Sequence, residues 1–204
     1  GITTHKGLQA AADAGADLIG LVFHPRSPRY LSYAQAGELI KHKPDTLKAV
    51  GLFVDPDETT LDAALEQLRL DMIQLHGAET PGRVQDIRTQ TRTPVMKALP
   101  IGEKQDLQAI ARYEDVCDWL LFDAKPAQAA DNPGGGGKSF NWNVLRDMRL
   151  QTPWMLAGGL NTNNVKEALD IVGPDGLDVS SGVEKRPGVK DAGLIEDFIQ
   201  TARF

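Results

Sequence analysis

Short apolar runs, each closed by polar or turn-forming residues, recur along the chain. Residues 16–23 (ADLIGLVF) end at His24, 48–54 (KAVGLFV) at Asp55, 70–75 (LDMIQL) at His76 and 94–99 (PVMKAL) at Pro100. Residues 118–122 (DWLLF) end at Asp123, 153–157 (PWMLA) at Gly158-Gly159, and 176–179 (GLDV) at Ser180-Ser181-Gly182. Runs of this length, with polar groups gathered at the C-terminal end, have the pattern of buried parallel strands. Helical patterns lie between them. Leu61, Ala64, Leu65 and Leu68 share a face after Asp57 and Thr59, both suited to N-capping. Val165, Ala168, Leu169 and Val172 do the same after Asn161-Thr162, and Leu194, Ile195, Phe198 and Ile199 close the chain.

This alternation predicts βα units and a parallel sheet. The count is seven strands and eight helical segments, because the first helix, 4–14, has no strand before it. An eight-stranded barrel whose first strand lies upstream of Gly1 fits that count, and so does an open doubly wound sheet. Glycine-rich turns follow the last two runs, where (β/α)8 barrels commonly bind phosphate. No G-x-G-x-x-G follows an early strand, which weakens the dinucleotide fold. The expected architecture is therefore an α/β (β/α)8 TIM barrel, a single domain over 1–204.

Composition narrows the function classes. With 204 residues, 41% hydrophobic and 25% charged, the chain is long enough for a sizeable core. No apolar run approaches the roughly 20 residues needed to span a bilayer. No signal peptide is visible, although the chain begins at Gly1 rather than Met, and a cytoplasmic location is expected. The lone Cys117 permits no internal disulfide and fits a reducing compartment. It sits at the N-terminal end of its strand, where a small buried residue without chemical role is expected. Net charge of −6 argues against nucleic-acid and anionic-membrane partners while leaving room for a small anionic ligand.

The stretch DNPGGGGKSF, 131–140, superficially resembles a phosphate-cradling P-loop. That motif needs a glycine at position 132, where the chain has Asn132, and a strand directly before it. Both requirements fail.

In a barrel, chemistry sits at strand C-termini and in the loops beyond them. The AGGL turn (157–160) and the SSGVE turn (180–184) would let backbone approach a ligand closely and offer free N–H groups to an anion. Either could be only a tight turn; two neighbouring ones favour phosphate. Asp123, closing its strand, could be a general acid or base, or a capping or salt-bridging carboxylate. His76 has the same ambiguity, and Gln74 shares its strand face. Arg29, which with Arg26 flanks Ser27-Pro28, could clamp a carboxylate with two parallel hydrogen bonds or be an ordinary solvated loop arginine.

The chain resembles the phosphoribosylanthranilate isomerase family. The matching stretches include GIT (1–3), GADLIGLVFHPRSPRYL (15–31), VGLFV (50–54), IQLHGAE (73–79), LLFDA (120–124), LAGGLNTNNV (156–165) and LDVSSGVEKRPGVKD (177–191), covering essentially the whole sequence in order. The resemblance implies an Amadori rearrangement of N-(5′-phosphoribosyl)anthranilate to 1-(2-carboxyphenylamino)-1-deoxyribulose 5-phosphate, with no cofactor and no metal. It makes Asp123 the general acid and Arg29 the holder of the anthranilate carboxylate. It adds Gln74, His76 and Asp178 as substrate contacts, and gives the phosphate to Gly158, Gly159, Ser180, Ser181 and Gly182. The family's general base, a cysteine preceding G-I-T, is expected immediately before Gly1. PGGGGKSFNW (133–142) is similar to the family's loop after strand six. Gly136 stands there in place of threonine and Asn141 in place of aspartate, so Gly134, Gly135, Gly136 and Gly137 are read as a flexible flap. The expected partner is a small phosphorylated aminosugar, handled by a monomer or homodimer.

Two enzyme alternatives fit less well. Indole-glycerol-phosphate synthase would need a catalytic lysine at a strand end; Lys97 lies within a strand, and no matching lysine and glutamate set accompanies it. A ribulose-phosphate epimerase would need clustered metal-binding histidines, and His5, His24, His42 and His76 show none. A phosphate-ligand-binding barrel without catalysis differs from the isomerase only before Gly1.

Overall fold

The structure, a computed structural model, describes residues 1–125 and 140–203. Seven strands form one parallel sheet in chain order: β1 (Leu18–Val22), β2 (Lys48–Phe53), β3 (Met72–Leu75), β4 (Val95–Ile101), β5 (Trp119–Ala124), β6 (Trp154–Leu156) and β7 (Gly176–Leu177). Each coincides with one of the apolar runs. Between and around them lie α1 (His5–Asp13), α2 (Tyr33–Ile40), α3 (Glu58–Gln67), α4 (Pro81–Thr91), α5 (Val165–Ile171), α6 (Ala192–Arg203), and 3-10 segments at Lys104–Arg112 and Trp142–Leu145. The glycines of the expected flap, Gly134 to Gly137, lie outside the described residues.

Local chemistry sets the helix starts. Thr4, Ser32, Asp57 and Thr80 each accept a backbone N–H three residues on, at 3.1, 3.2, 2.8 and 3.3 Å. Gln35 returns the bond to the Ser32 N–H at 2.9 Å, completing a capping box. Thr59, the other capping candidate, lies inside α3. Asn161 and Thr162 do not cap α5 directly. Asn164 Oδ1 accepts from the Asn161 N–H at 2.8 Å, and this local turn delays the helix to Val165.

Side chains on the two faces of the sheet form separate clusters. Val50, Met72, Met96, Ala98, Leu121, Met155 and Ala157 pack together on one face, with Leu18 and Trp119 against them. Side chains from β1 to β6 can meet in one cluster only if the sheet curls around them, as a barrel wall does. The outer face, with Ile19, Leu21, Ala49, Phe53, Ile73, Val95, Leu120 and Phe122, packs against the helices. The N-terminal end is stitched by aspartates: Asp71, Asp118 and Asp175 each accept the N–H that opens the preceding strand region, from Ala49, Val95 and Trp154, at 2.7, 2.9 and 2.9 Å. Cys117 is buried at this end, and burial pushes its thiol up to about 11.

Lys97 interrupts the apolar run of β4 because it is an ion-pair partner. Its side chain is 2% exposed and meets Glu79 Oε2 at 2.6 Å and the Gly77 carbonyl at 2.7 Å. Glu79 in turn accepts the N–H groups of Asp55 and Gly77, at 2.9 Å and 3.0 Å, tying the loops after β2 and β3 together. Asp55, which has positive φ, accepts the Ala78 N–H at 2.7 Å.

After β7 the chain makes a 3-10 turn (Ser181–Val183) and a small antiparallel hairpin, β8 (Glu184–Arg186) and β9 (Val189–Lys190), which periodicity did not reveal. Two strands of two and three residues are too short for alternation to register. The hairpin turn at Gly188 has φ +81°, and a Cβ there would run into the Pro28 carbonyl. Thr3 Oγ1 donates to the Gly188 carbonyl at 2.9 Å. No helix among the described residues is long and apolar enough to cross a membrane.

Two predictions follow from burial. Lys97→Met leaves Glu79 buried and unpaired and should cost about 3–5 kcal/mol, read as a lowered urea midpoint; a loss below about 1 kcal/mol would mean the pair does not hold the loops. Cys117 should resist alkylation in the folded chain at about pH 8, where its thiol stays protonated, and react once urea unfolds it, as read by peptide mass.

Candidate active site

The C-terminal ends of the strands open into a cavity of about 640 Å³. Asp123, Gln74, His76, Arg29 and Asp178 line it, with Gly158, Gly159, Ser180 and Ser181 along another part of its wall. Sequence-predicted residues separated by more than a hundred positions are thus brought to one place. Gly182 sits just behind, packed so tightly that a Cβ would meet the Leu160 carbonyl. A larger cavity, about 740 Å³, lies between β1 and β7, where Met96, Leu121 and Met155 face it. The mouth is the cavity that holds Asp123, His76, Arg29 and both glycine turns together.

Asp123 ends the buried stretch of β5 and is itself buried. Its Oδ1 accepts the Ala124 N–H at 2.8 Å, and its Oδ2 lies 3.1 Å from His76 Nε2. His76 Nδ1 is 2.9 Å from Gln74 Nε2. With the Gln74 amide nitrogen as donor, Nδ1 accepts and Nε2 carries the proton directed at Asp123. Gln74 lies on β3 and His76 directly follows its end, so two residues of alternation bring their side chains together and build the relay. Among the described residues, the side-chain partner of Asp123 is His76, and no helix is capped by its carboxylate.

Arg29 is buried rather than solvated, unlike the exposed Arg26. Its Nε and Nη2 donate to the two oxygens of Glu184, each at 2.8 Å. That pairing uses the side edge of the guanidinium and leaves Nη1 and the second Nη2 hydrogen as a further fork. Lys190 Nζ meets Glu184 Oε1 at 2.9 Å and the Ser180 carbonyl at 2.8 Å. Burial raises the Glu184 carboxyl, but hydrogen bonds from Arg29 and Lys190 and their charges outweigh it and bring it down to about 2. Burial lowers the Lys190 ammonium against the opposing pull of Glu184. Glu184 and Lys190 escaped the residue-by-residue reading; the VE-x-x-x-G-x-K spacing was their only trace. His24, at the end of its run, also faces the mouth, and its Nε2 is buried without a hydrogen-bond partner among the described residues.

The glycine turns differ from ordinary loops in their backbone. Gly158 and Gly159 have φ of +85° and +68°, and a Cβ on Gly158 would collide with the Ala124 amide. Only glycine lets this turn lie against the end of β5. Among the described residues, the amides of Gly158, Gly159, Ser180 and Ser181 donate to no protein acceptor. Such N–H groups beside a cavity can receive an anion. No group of three or more His, Cys, Asp or Glu side chains suited to a metal ion occurs among the described residues.

Known proteins match this chain over nearly its whole length. The family model for N-(5′-phosphoribosyl)anthranilate (PRA) isomerase matches residues 1–201. The N-(5′-phosphoribosyl)anthranilate isomerase of Paramagnetospirillum magneticum is 50% identical over 203 residues, covering 100% of this chain and 94% of that protein. The Paracoccus denitrificans enzyme is 50% identical over 202 residues, covering 99% and 94%. The crystal structure of the Thermotoga maritima isomerase superposes with TM-score 0.87 at 33% identity, covering 99% of this chain and 95% of that one. A structure of the isomerase in complex with reduced 1-(o-carboxyphenylamino)-1-deoxyribulose 5-phosphate gives TM-score 0.84 at 32% identity, with the same coverage. The curled sheet is thus the wall of a (β/α)8 barrel, and the chain belongs to the N-(5′-phosphoribosyl)anthranilate isomerase family.

Proposed function

We propose that the mouth binds N-(5′-phosphoribosyl)anthranilate and that Asp123 is the general acid of its rearrangement. The overall activity is the family's: an isomerase of tryptophan biosynthesis, converting an aminoaldose phosphate to its aminoketose. The observation that carries the assignment of the acid is the placement of Asp123, a buried carboxylate held by two N–H groups in the cavity that also meets Arg29 and both glycine turns.

In this reading Asp123 protonates the furanose ring oxygen, the C1′–O bond breaks, and the aniline nitrogen supplies the electron pair that forms the Schiff base. Asp123 is left as a carboxylate, and the His76 and Ala124 N–H groups stabilise that charge as it develops. Donors that strengthen as charge appears lower the barrier rather than only binding substrate. The free fork of Arg29 takes the anthranilate carboxylate, and the unpaired amides of Gly158, Gly159, Ser180 and Ser181 take the phosphate. Asp178 and Gln74 face the sugar. Removal of the C2′ proton falls to the base expected before Gly1; Gly1 lines the same cavity, so a residue in that position would border it. No cofactor enters this chemistry.

Every group named comes from one chain, so a monomer or a homodimer accommodates the reading; the Thermotoga maritima relative is described as dimeric. A small phosphorylated aminosugar is the only partner it requires, with neither nucleic acid nor membrane, and the setting is the cytoplasm.

Asp123→Asn should lower kcat about 10²–10⁴-fold while changing KM little, measured by decay of substrate fluorescence; unchanged kcat would remove Asp123 from the mechanism. Gly158→Ala, which forces a Cβ against the Ala124 amide, should destabilise the fold by about 1–3 kcal/mol and weaken competitive inhibition by inorganic phosphate. Undiminished phosphate inhibition would move the phosphate site elsewhere.

A further inference from the structure

Glu184 has no capacity left for substrate. Its side chain is 3% exposed. Its Oε1 accepts from Arg29 Nε at 2.8 Å and Lys190 Nζ at 2.9 Å, and its Oε2 from Arg29 Nη2 at 2.8 Å and the Gly188 N–H at 3.3 Å. Four bonds fill the lone-pair positions of a carboxylate. Lys190 is equally committed, between Glu184 Oε1, the Ser180 carbonyl at 2.8 Å and Ser180 Oγ at 3.4 Å. Whatever these two residues contribute, they contribute through their neighbours.

Those neighbours belong to the two ends of the site. On one side Glu184 fixes the side edge of Arg29, so the remaining fork has one orientation. On the other, Lys190 draws the Ser180 carbonyl to itself. In a trans peptide C=O and N–H point in opposite directions, so fixing the Ser180 carbonyl also aims the Ser181 N–H. Ser181 lines the mouth cavity. The hairpin supplies both residues across a single turn, and the packing of Gly188 on the Pro28 carbonyl holds that turn against the Arg29 loop.

We infer that Glu184 is a positioning residue that couples the two grips on the substrate, orienting Arg29 for the ring carboxylate and, through Lys190, the Ser180-Ser181 turn for the phosphate. The inference rests on the proposed roles of Arg29 and of that turn. It assigns Glu184 no contact with substrate. It requires that replacing Glu184 damage recognition at both ends, whereas replacing Arg29 damages only one.

The test uses three competitive inhibitors: the reduced product analogue carrying the ring carboxylate, the same compound without it, and inorganic phosphate. Arg29→Met should cut the preference for the carboxylated analogue about 10–100-fold and leave phosphate inhibition as it was. If Arg29→Met keeps that preference, the assignment of Arg29 fails and the inference fails with it. Glu184→Gln, which places an N–H group against the donors of Arg29 or Lys190, should cut the same preference comparably and also weaken phosphate inhibition by about tenfold. Glu184→Asp keeps the charge but withdraws it by one methylene, and should show both losses to a smaller degree; it carries the test if Glu184→Gln does not fold. If Arg29→Met loses the preference while the Glu184 variants keep it, Arg29 stands and the inference is overturned. Equal weakening of both organic inhibitors in the Glu184 variants would overturn it too, since that is what general loosening of the hairpin produces.

Discussion

A parallel sheet curled on itself has to fill its inside with side chains, and everything else in this protein follows from that constraint. Both faces of the strands are committed, one to the inward cluster around Met96, Leu121 and Met155, the other to the helices. Polar side chains can then stand freely only where strands end. Because parallel strands all end on the same side, Gln74 with His76, Asp123 and the turns after β6 and β7 are delivered to one mouth without any contact between them along the sequence. Lys97 shows what the constraint costs when it is broken: a charge within a strand is retained only with Glu79 and a backbone carbonyl closed around it.

The electrostatics of the mouth are arranged in two tiers. Close to the cavity stand groups with capacity to spare: the unused fork of Arg29, the free amides of the glycine and serine turns, and Asp123 with its His76 donor. Beside them stand groups whose bonds are already complete, Glu184 in the same wall and Lys190 next to it. The inner tier offers positive charge and N–H dipoles to an anionic substrate, while Glu184 keeps two buried cations from repelling each other. A carboxyl brought down to about 2 stays charged at any pH at which the enzyme works, so this support does not titrate away in use.

The sequence made the strands legible because a doubly buried strand has little freedom of composition: all seven runs became strands. Helix starts were legible where a Ser, Thr or Asp side chain caps directly, as at Asp57, and were misplaced where a side chain closes a turn ahead of the helix, as Asn164 does by accepting the Asn161 N–H. Asp123, His76, Gln74 and Arg29 could be nominated from strand ends and motifs alone. Their pairings could not, because the Arg29–Glu184 contact joins positions 155 residues apart and the Lys97–Glu79 pair depends on how two loops close. The hairpin that holds Glu184 and Lys190 was invisible for a related reason: its two short strands are specified by Gly188 and its contact with Pro28, not by hydrophobic pattern.

The aspartates at the opposite end of the sheet have a consequence of another kind. Asp71, Asp118 and Asp175 each bond to the N–H of the strand region before, so β2 is fastened to β3, β4 to β5 and β6 to β7 at the end of the sheet away from the mouth. This fastening is thereby kept apart from the loops that line the mouth. Substitutions at the mouth that spare Gly158 and the Lys97–Glu79 pair leave these bonds untouched, so the chemistry of such a chain can be revised without altering how its units are joined.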